Sequence, residues 1–81
     1  MKRIIRFTAS WCAPCKMLAQ QLEEIDTTLP IEVIDIDEKQ ELAMEYGIRS
    51  VPTILILDEN VEVRRHVGLS TKEILQRWIE A

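Results

Sequence analysis

Two cysteines stand three positions apart, and they are the only cysteines in the 81-residue chain. Cys12 and Cys15 could bond to each other as a disulfide or supply half of a metal site. A structural disulfide across so short a loop adds little stability, because the chain-entropy effect grows with loop length. A zinc or iron–sulfur site needs about four ligands, and His66 is the only histidine. We therefore expect the two cysteines to carry out redox chemistry, and we expect no metal site within a single chain. A metal cluster held jointly by two chains is the alternative.

The residues around the pair predict a helix that starts near Cys12. Arg3–Thr8 is a strand-like apolar segment, and apolar residues recur at helical spacing from Pro14 to Ile25. Cys12 would then lie at the helix start, where unpaired N–H groups and the helix dipole favour a thiolate. Pro14 falls in the first turn, where its missing N–H does little harm. Since Cys15 follows one turn deeper, Cys12 could attack a disulfide and Cys15 could resolve the product.

The remaining chain alternates strands and helices. Ile31–Ile36 has apolar residues on both faces, so we expect a strand that is covered on both sides. Asp37 could cap a short helix that runs to Tyr46, with Gly47 in a left-handed conformation at its end. The apolar run Thr53–Leu57 and the segment Val61–Val67 predict a hairpin joined by a turn at residues 58–60.

The last helix has a recognisable start. Ser70 and Glu73 form a capping box, and Leu69 and Ile74 occupy hydrophobic staple positions. The resulting order βαβαββα predicts an α/β protein with a mixed four-stranded sheet flanked by helices, and residues 1–81 are predicted to form one domain.

The composition excludes several classes of function. With 47% hydrophobic and 30% charged residues, the chain is typical of a globular protein. Its net charge is −4 and its basic residues are scattered, so we expect no nucleic-acid partner. No apolar run approaches the ~20 residues of a membrane span, so we expect no membrane association. The N-terminus lacks the apolar stretch of a signal peptide, which predicts a cytoplasmic protein.

Three segments resemble conserved segments of the thioredoxin family. Ala9–Lys16 resembles the family's active-site segment, with Ala13 where a glycine is usual. Tyr46–Thr53 resembles the segment that ends in a cis-proline, and Val67–Ser70 resembles the glycine-containing turn before the last helix. The segments keep the family's order and spacing. The resemblance therefore implies a thioredoxin fold that lacks the family's N-terminal strand and helix.

The resemblance also implies roles for individual residues. Cys12 would be the nucleophile and Cys15 the resolving thiol, so that their redox-active disulfide needs no other cofactor. Val51 would offer backbone hydrogen bonds to an extended substrate, and Pro52 would be the cis-proline; taken alone, Pro52 would simply be a proline at the start of a strand. The residues expected to form the substrate-binding groove are Trp11, Ala13, Pro14, Val51, Pro52 and Gly68.

The function implied is that of a monomeric protein-disulfide reductase, regenerated by a thioredoxin-reductase-like flavoenzyme. A glutaredoxin-like enzyme that uses glutathione is the alternative. The small size favours the glutaredoxin alternative, whereas the Cys-Ala-Pro-Cys motif and the single glycine, Gly68, oppose it. A binding subunit that uses only the groove is a non-enzymatic alternative, in which Cys12 would be dispensable.

Two departures from the family pattern concern proton transfer. Thioredoxins carry a buried aspartate six residues before the nucleophile and a partner lysine on the next strand. Arg6 and Val33 occupy these two places here. Arg6 could cover apolar surface with its stem while its head reaches solvent, or its charge could favour a cysteine thiolate. Cys15 has no obvious general base among the residues of this pattern.

Overall fold

The computed structural model describes all of residues 1–81, and its elements follow the predicted order βαβαββα. They are β1 (Lys2–Thr8), α1 (Ala13–Glu23), β2 (Ile31–Asp35), α2 (Gln40–Glu45), β3 (Thr53–Asp58), β4 (Val61–Val67) and α3 (Lys72–Glu80). The strands form one four-stranded sheet in the order β2-β1-β3-β4. Only the β1–β2 pair is parallel, so the predicted mixed sheet is confirmed.

Helices cover both faces of the sheet. On one face, α2 packs over a cluster formed by Ile5, Phe7, Ile34, Leu55 and Leu57. On the other face, α1 and α3 pack over Ile54 through Leu18, Leu22 and Leu75. Because β3 lies at the centre of the sheet, its side chains are buried on both faces from Thr53 to Leu57.

The turn of the β3–β4 hairpin lies where the sequence predicts it. Glu59 and Asn60 both have positive φ angles, of 50° and 71°. Two successive residues with positive φ match the right-handed twist of the flanking strands, and hairpins therefore favour this turn. The β3 and β4 strands pair through to this turn, apart from one extra residue at Val63 that makes a bulge.

The prediction that β2 is covered on both sides is wrong. Ile34 is buried, but Ile31 and Val33 remain 38% and 52% exposed. Their side chains lie on the sheet face of Ile4 and Arg6, to which they are paired. Because β2 is an edge strand, the helices α1 and α3 over the sheet centre do not cover these two side chains.

Two helix starts also differ from the predictions. The cap of α3 is Thr71, whose hydroxyl accepts a hydrogen bond from the Ile74 N–H at 3.3 Å, and not Ser70. The helix α2 begins at Gln40 with no side-chain cap, so Asp37 does not cap it. Instead, Asp35 accepts hydrogen bonds from the N–H groups of residues 37 and 38, which turns the chain before the helix can begin.

Arg65 on β4 fixes the end of α2. Its Nε and Nη2 atoms each donate to a carboxylate oxygen of Glu62 at 2.8 Å. Nη2 also donates to the carbonyl of Tyr46, the C-terminal cap of α2, at 2.6 Å. One guanidinium therefore joins the helix end to the edge of the sheet, and its two-pronged bond with Glu62 holds it in that orientation.

The ion pair makes stability depend on pH. The hydrogen bond from Arg65 lowers the pKa of Glu62. A carboxylate whose folded pKa is lowered stabilises the fold above its unfolded pKa of about 4.3, and this contribution is lost as pH falls through the folded value. We expect Glu62→Gln to lower the free energy of unfolding at neutral pH by at most about 1 kcal/mol, because the pair is partly exposed.

Urea unfolding at about pH 7 and about pH 3 measures this effect, and the difference between wild type and Glu62→Gln should shrink towards zero in acid. Glu45→Gln is the matched control, since Glu45 is exposed and makes no ion pair. A difference of equal size at both pH values would show that the carboxylate charge is not responsible.

Candidate functional site

Cys12 and Cys15 are joined in a disulfide at the start of α1, with their Cα atoms 5.3 Å apart. Cys12 is the N-terminal cap of the helix, and its Sγ atom accepts a hydrogen bond from the Cys15 N–H at 3.1 Å. Pro14 lies in the first turn, as predicted. The same N–H group and the positive end of the helix dipole would stabilise a thiolate on Cys12 after reduction.

The disulfide has an apolar environment. Cys15 has no exposed surface and Cys12 keeps 4%, so Cys12 is the more accessible of the two although both are buried. They pack with Ala9, and Ile36 and Val51 contact this cluster. No group of three or more His, Cys, Asp or Glu side chains is arranged to hold a metal ion.

A second segment forms the wall beside the disulfide. The Val51–Pro52 peptide bond is cis, as the resemblance implied. Gly68 has a φ of +90°, which suits glycine, and its N–H donates to the Pro52 carbonyl at 2.9 Å. The structure therefore brings together Cys12, Val51, Pro52 and Gly68, which the sequence places up to 56 positions apart.

Trp11 completes the rim of the site. Its side chain is 68% exposed, and its Nε1–H donates to the Oδ2 atom of Asp37 at 2.9 Å. Ala13 and Pro14 are exposed beside it. Of the other residues expected to form the groove, Val51 and Gly68 are partly buried and Pro52 is buried.

Sequence reasoning missed Ile36 and Asp37 as neighbours of the site. Both follow β2 directly, just as Trp11 and Cys12 follow β1 within a few residues. Because β1 and β2 are parallel, their carboxyl ends lie at the same end of the sheet. Binding and catalytic sites commonly form at the carboxyl ends of parallel strands. A βαβ order at the start of the chain favours such a parallel pair, and this was the signal that could have found them.

Arg6 and Val33 are direct neighbours across β1 and β2. The half-buried Arg6 lines a groove with Leu22, Ile31 and Val33 and forms no ion pair within 4.0 Å. Burial lowers the pKa of its guanidinium, which nevertheless remains a cation at neutral pH. No cysteine lines this groove, so the arrangement fits the interpretation that the Arg6 stem covers apolar surface.

The fold and the paired cysteines define the class of protein, a dithiol–disulfide oxidoreductase. The family model described as Thioredoxin matches residues 1–81. The chain belongs to the thioredoxin family.

None of the three helices combines the length and the apolar character that crossing a bilayer requires.

Relatives of known structure and sequence support this assignment. The thioredoxin of Bacillus subtilis is 47% identical over 77 residues, which cover 90% of this chain and 74% of that protein. A mutant thioredoxin from Halobacterium salinarum superimposes with a TM-score of 0.90 at 37% identity, covering 98% of this chain and 72% of that one. The thioredoxin of Malassezia sympodialis gives a TM-score of 0.85 at 30% identity, covering 98% and 73%. The glutaredoxin alternative is not favoured by these matches.

Proposed function

We propose that this protein reduces disulfides in other proteins, with Cys12 as the nucleophile and Cys15 as the resolving thiol. The observation that carries the proposal is the double role of Cys12, which caps α1 and is bonded to Cys15. A thiolate at a helix start is both stabilised and reactive. Cys15, one turn deeper and fully buried, is shielded from the substrate but within bonding distance of Cys12.

The reaction begins with the reduced protein. The Cys12 thiolate attacks one sulfur of the substrate disulfide, which forms a mixed disulfide and releases the first substrate thiolate. Cys15 then attacks the Cys12 sulfur, which restores the Cys12–Cys15 disulfide and releases the second thiolate. Two electrons pass to the substrate, and the first thiolate takes a proton from solvent, so that both substrate sulfurs end as thiols. The proton of the Cys15 thiol passes to the second departing thiolate.

The substrate would bind along the rim of the site as an extended segment. Val51 lies beside the disulfide, and its own N–H and C=O groups make no hydrogen bond within the chain. Free backbone groups can pair with those of an extended segment of another chain. The exposed surfaces of Trp11, Ala13 and Pro14, with Pro52 and Gly68, would form the adjoining groove.

The redox-active disulfide would carry the electrons without a further cofactor. Thioredoxins act on protein disulfides and are generally reduced by thioredoxin reductase. Membership of this family supports a thioredoxin-reductase-like flavoenzyme as electron donor, in preference to glutathione. We place the protein in the cytoplasm as a monomer, where a reducing environment would keep the reaction in this direction.

Insulin reduction with two electron donors tests the proposal. We expect catalytic turnover with NADPH and a bacterial thioredoxin reductase, and much slower turnover with glutathione and glutathione reductase. Each donor system without the protein serves as its control. If the protein fails to reduce insulin even after chemical reduction of its own disulfide, it is not a protein-disulfide reductase.

A further inference from the structure

Thr53 is the only buried polar residue in the chain, with 2% exposure. It is the first residue of β3 and directly follows Pro52. Its Oγ1 atom donates a hydrogen bond to the carbonyl of Ser50 at 2.8 Å. A buried hydroxyl requires such a partner, and this partner lies on the other side of the Val51–Pro52 pair.

The backbone on both sides of Val51 is held by hydrogen bonds. The Ser50 carbonyl accepts from Thr53, and the Pro52 carbonyl accepts from the Gly68 N–H at 2.9 Å. The N–H and C=O of Val51 itself have no partner within the chain. The turn therefore fixes its two flanking carbonyls and leaves free the backbone groups of Val51, the residue that packs against the Cys12–Cys15 cluster.

We propose that Thr53 is a positioning residue for substrate binding, which acts by holding the Ser50 carbonyl so that the free N–H and C=O of Val51 point towards an extended substrate segment. This inference rests on the proposed function. Groups held in their binding geometry before the substrate arrives lose less conformational entropy when it binds. Thr53 itself is buried behind the turn and does not need to touch the substrate.

Two substitutions separate the hydroxyl from the rest of the side chain. Thr53→Val keeps the shape but removes the donor, whereas Thr53→Ser keeps the donor and removes the methyl group. We expect Thr53→Val to raise the KM for insulin about three- to tenfold with kcat unchanged, as expected for the loss of one hydrogen bond that supports binding. Thr53→Ser should stay close to wild type. A small aromatic disulfide, which does not need the Val51 backbone, should react equally fast with all three proteins.

Several results would overturn the inference. An unchanged KM in Thr53→Val would do so, as would equal damage in Thr53→Ser, which would assign the effect to the methyl group. Slower reaction of Thr53→Val with the small disulfide would show that the change acts on the cysteines.

A second measurement is independent of activity. We expect the amide resonance of Val51 in NMR spectra to shift, and its order parameter to fall, in Thr53→Val but not in Thr53→Ser. Unchanged Val51 dynamics in Thr53→Val would contradict the positioning role. If wild type fails to reduce insulin, the proposed function fails, whereas the NMR comparison still decides whether Thr53 holds the turn.

Discussion

Replacing Cys12 with serine is expected to lower the rate of insulin reduction by at least about a thousandfold, because the nucleophile is lost. A serine hydroxyl stays protonated at neutral pH and cannot form a disulfide. The N–H of residue 15 and the helix dipole at the start of α1 favour a thiolate, but they are too weak to ionise an alcohol. The binding subunit alternative predicts instead that the biological activity survives this substitution.

Replacing Cys15 with serine should give a different result. Cys12 can still attack, but the mixed disulfide cannot be resolved, so a covalent adduct with the substrate should accumulate. Mass spectrometry without reducing agent measures the adduct. The matched control is the double variant Cys12→Ser/Cys15→Ser, which should form none. An adduct formed by the single Cys12→Ser variant would reverse the roles of the two cysteines.

Phe7→Ala is expected to cause the largest loss of stability, about 3 to 5 kcal/mol. Phe7 has no exposed surface and packs in the cluster beneath α2, with its ring 5.9 Å from that of Tyr46. Its removal would leave a cavity in this cluster, which the surrounding core relaxes only partly to fill. An 81-residue domain has a total stability of about 4 to 12 kcal/mol, so this single change removes a large share.

Urea unfolding followed by circular dichroism measures the loss. The urea concentration at the unfolding midpoint should fall. The slope of the unfolding free energy against urea concentration should stay unchanged, because the same surface is exposed on unfolding. Val61→Ala is the control, since Val61 is also on a strand but is 63% exposed; its effect should be within about 0.5 kcal/mol. Equal losses in the two variants would show that burial at Phe7 does not determine stability.

The sequence predicts the fold well because the relevant signals are local. The apolar runs of β1 and β3, the turn at Glu59–Asn60 and the left-handed Gly47 each depend on a few adjacent residues, and all occur as predicted. The three motif segments predict the site because their order and spacing match the family. The cis Val51–Pro52 bond depends on this resemblance, since a proline at the start of a strand is equally consistent with the local sequence.

Features that depend on distant residues could not be predicted in this way. The exposure of Val33 depends on which strand lies at the edge of the sheet. The alternation of apolar and polar residues around Val33 predicts only that this segment is a strand. Thr71 and Ser70 are adjacent hydroxyl residues, and the path of the chain leaving β4 decides which one caps α3. The bond from Trp11 to Asp37 joins residues 26 positions apart, so no local pattern indicates it.

The open sheet leaves two strand edges with unpaired backbone groups, and such edges can join to those of other molecules and start aggregation. The β4 edge is interrupted by the bulge at Val63 and carries the basic side chains of Arg64 and Arg65. The β2 edge is only five residues long and follows Pro30, but its charges come from acidic side chains. The two edges are therefore protected by different features, β4 by a bulge and basic side chains, and β2 by its short length, Pro30 and acidic side chains.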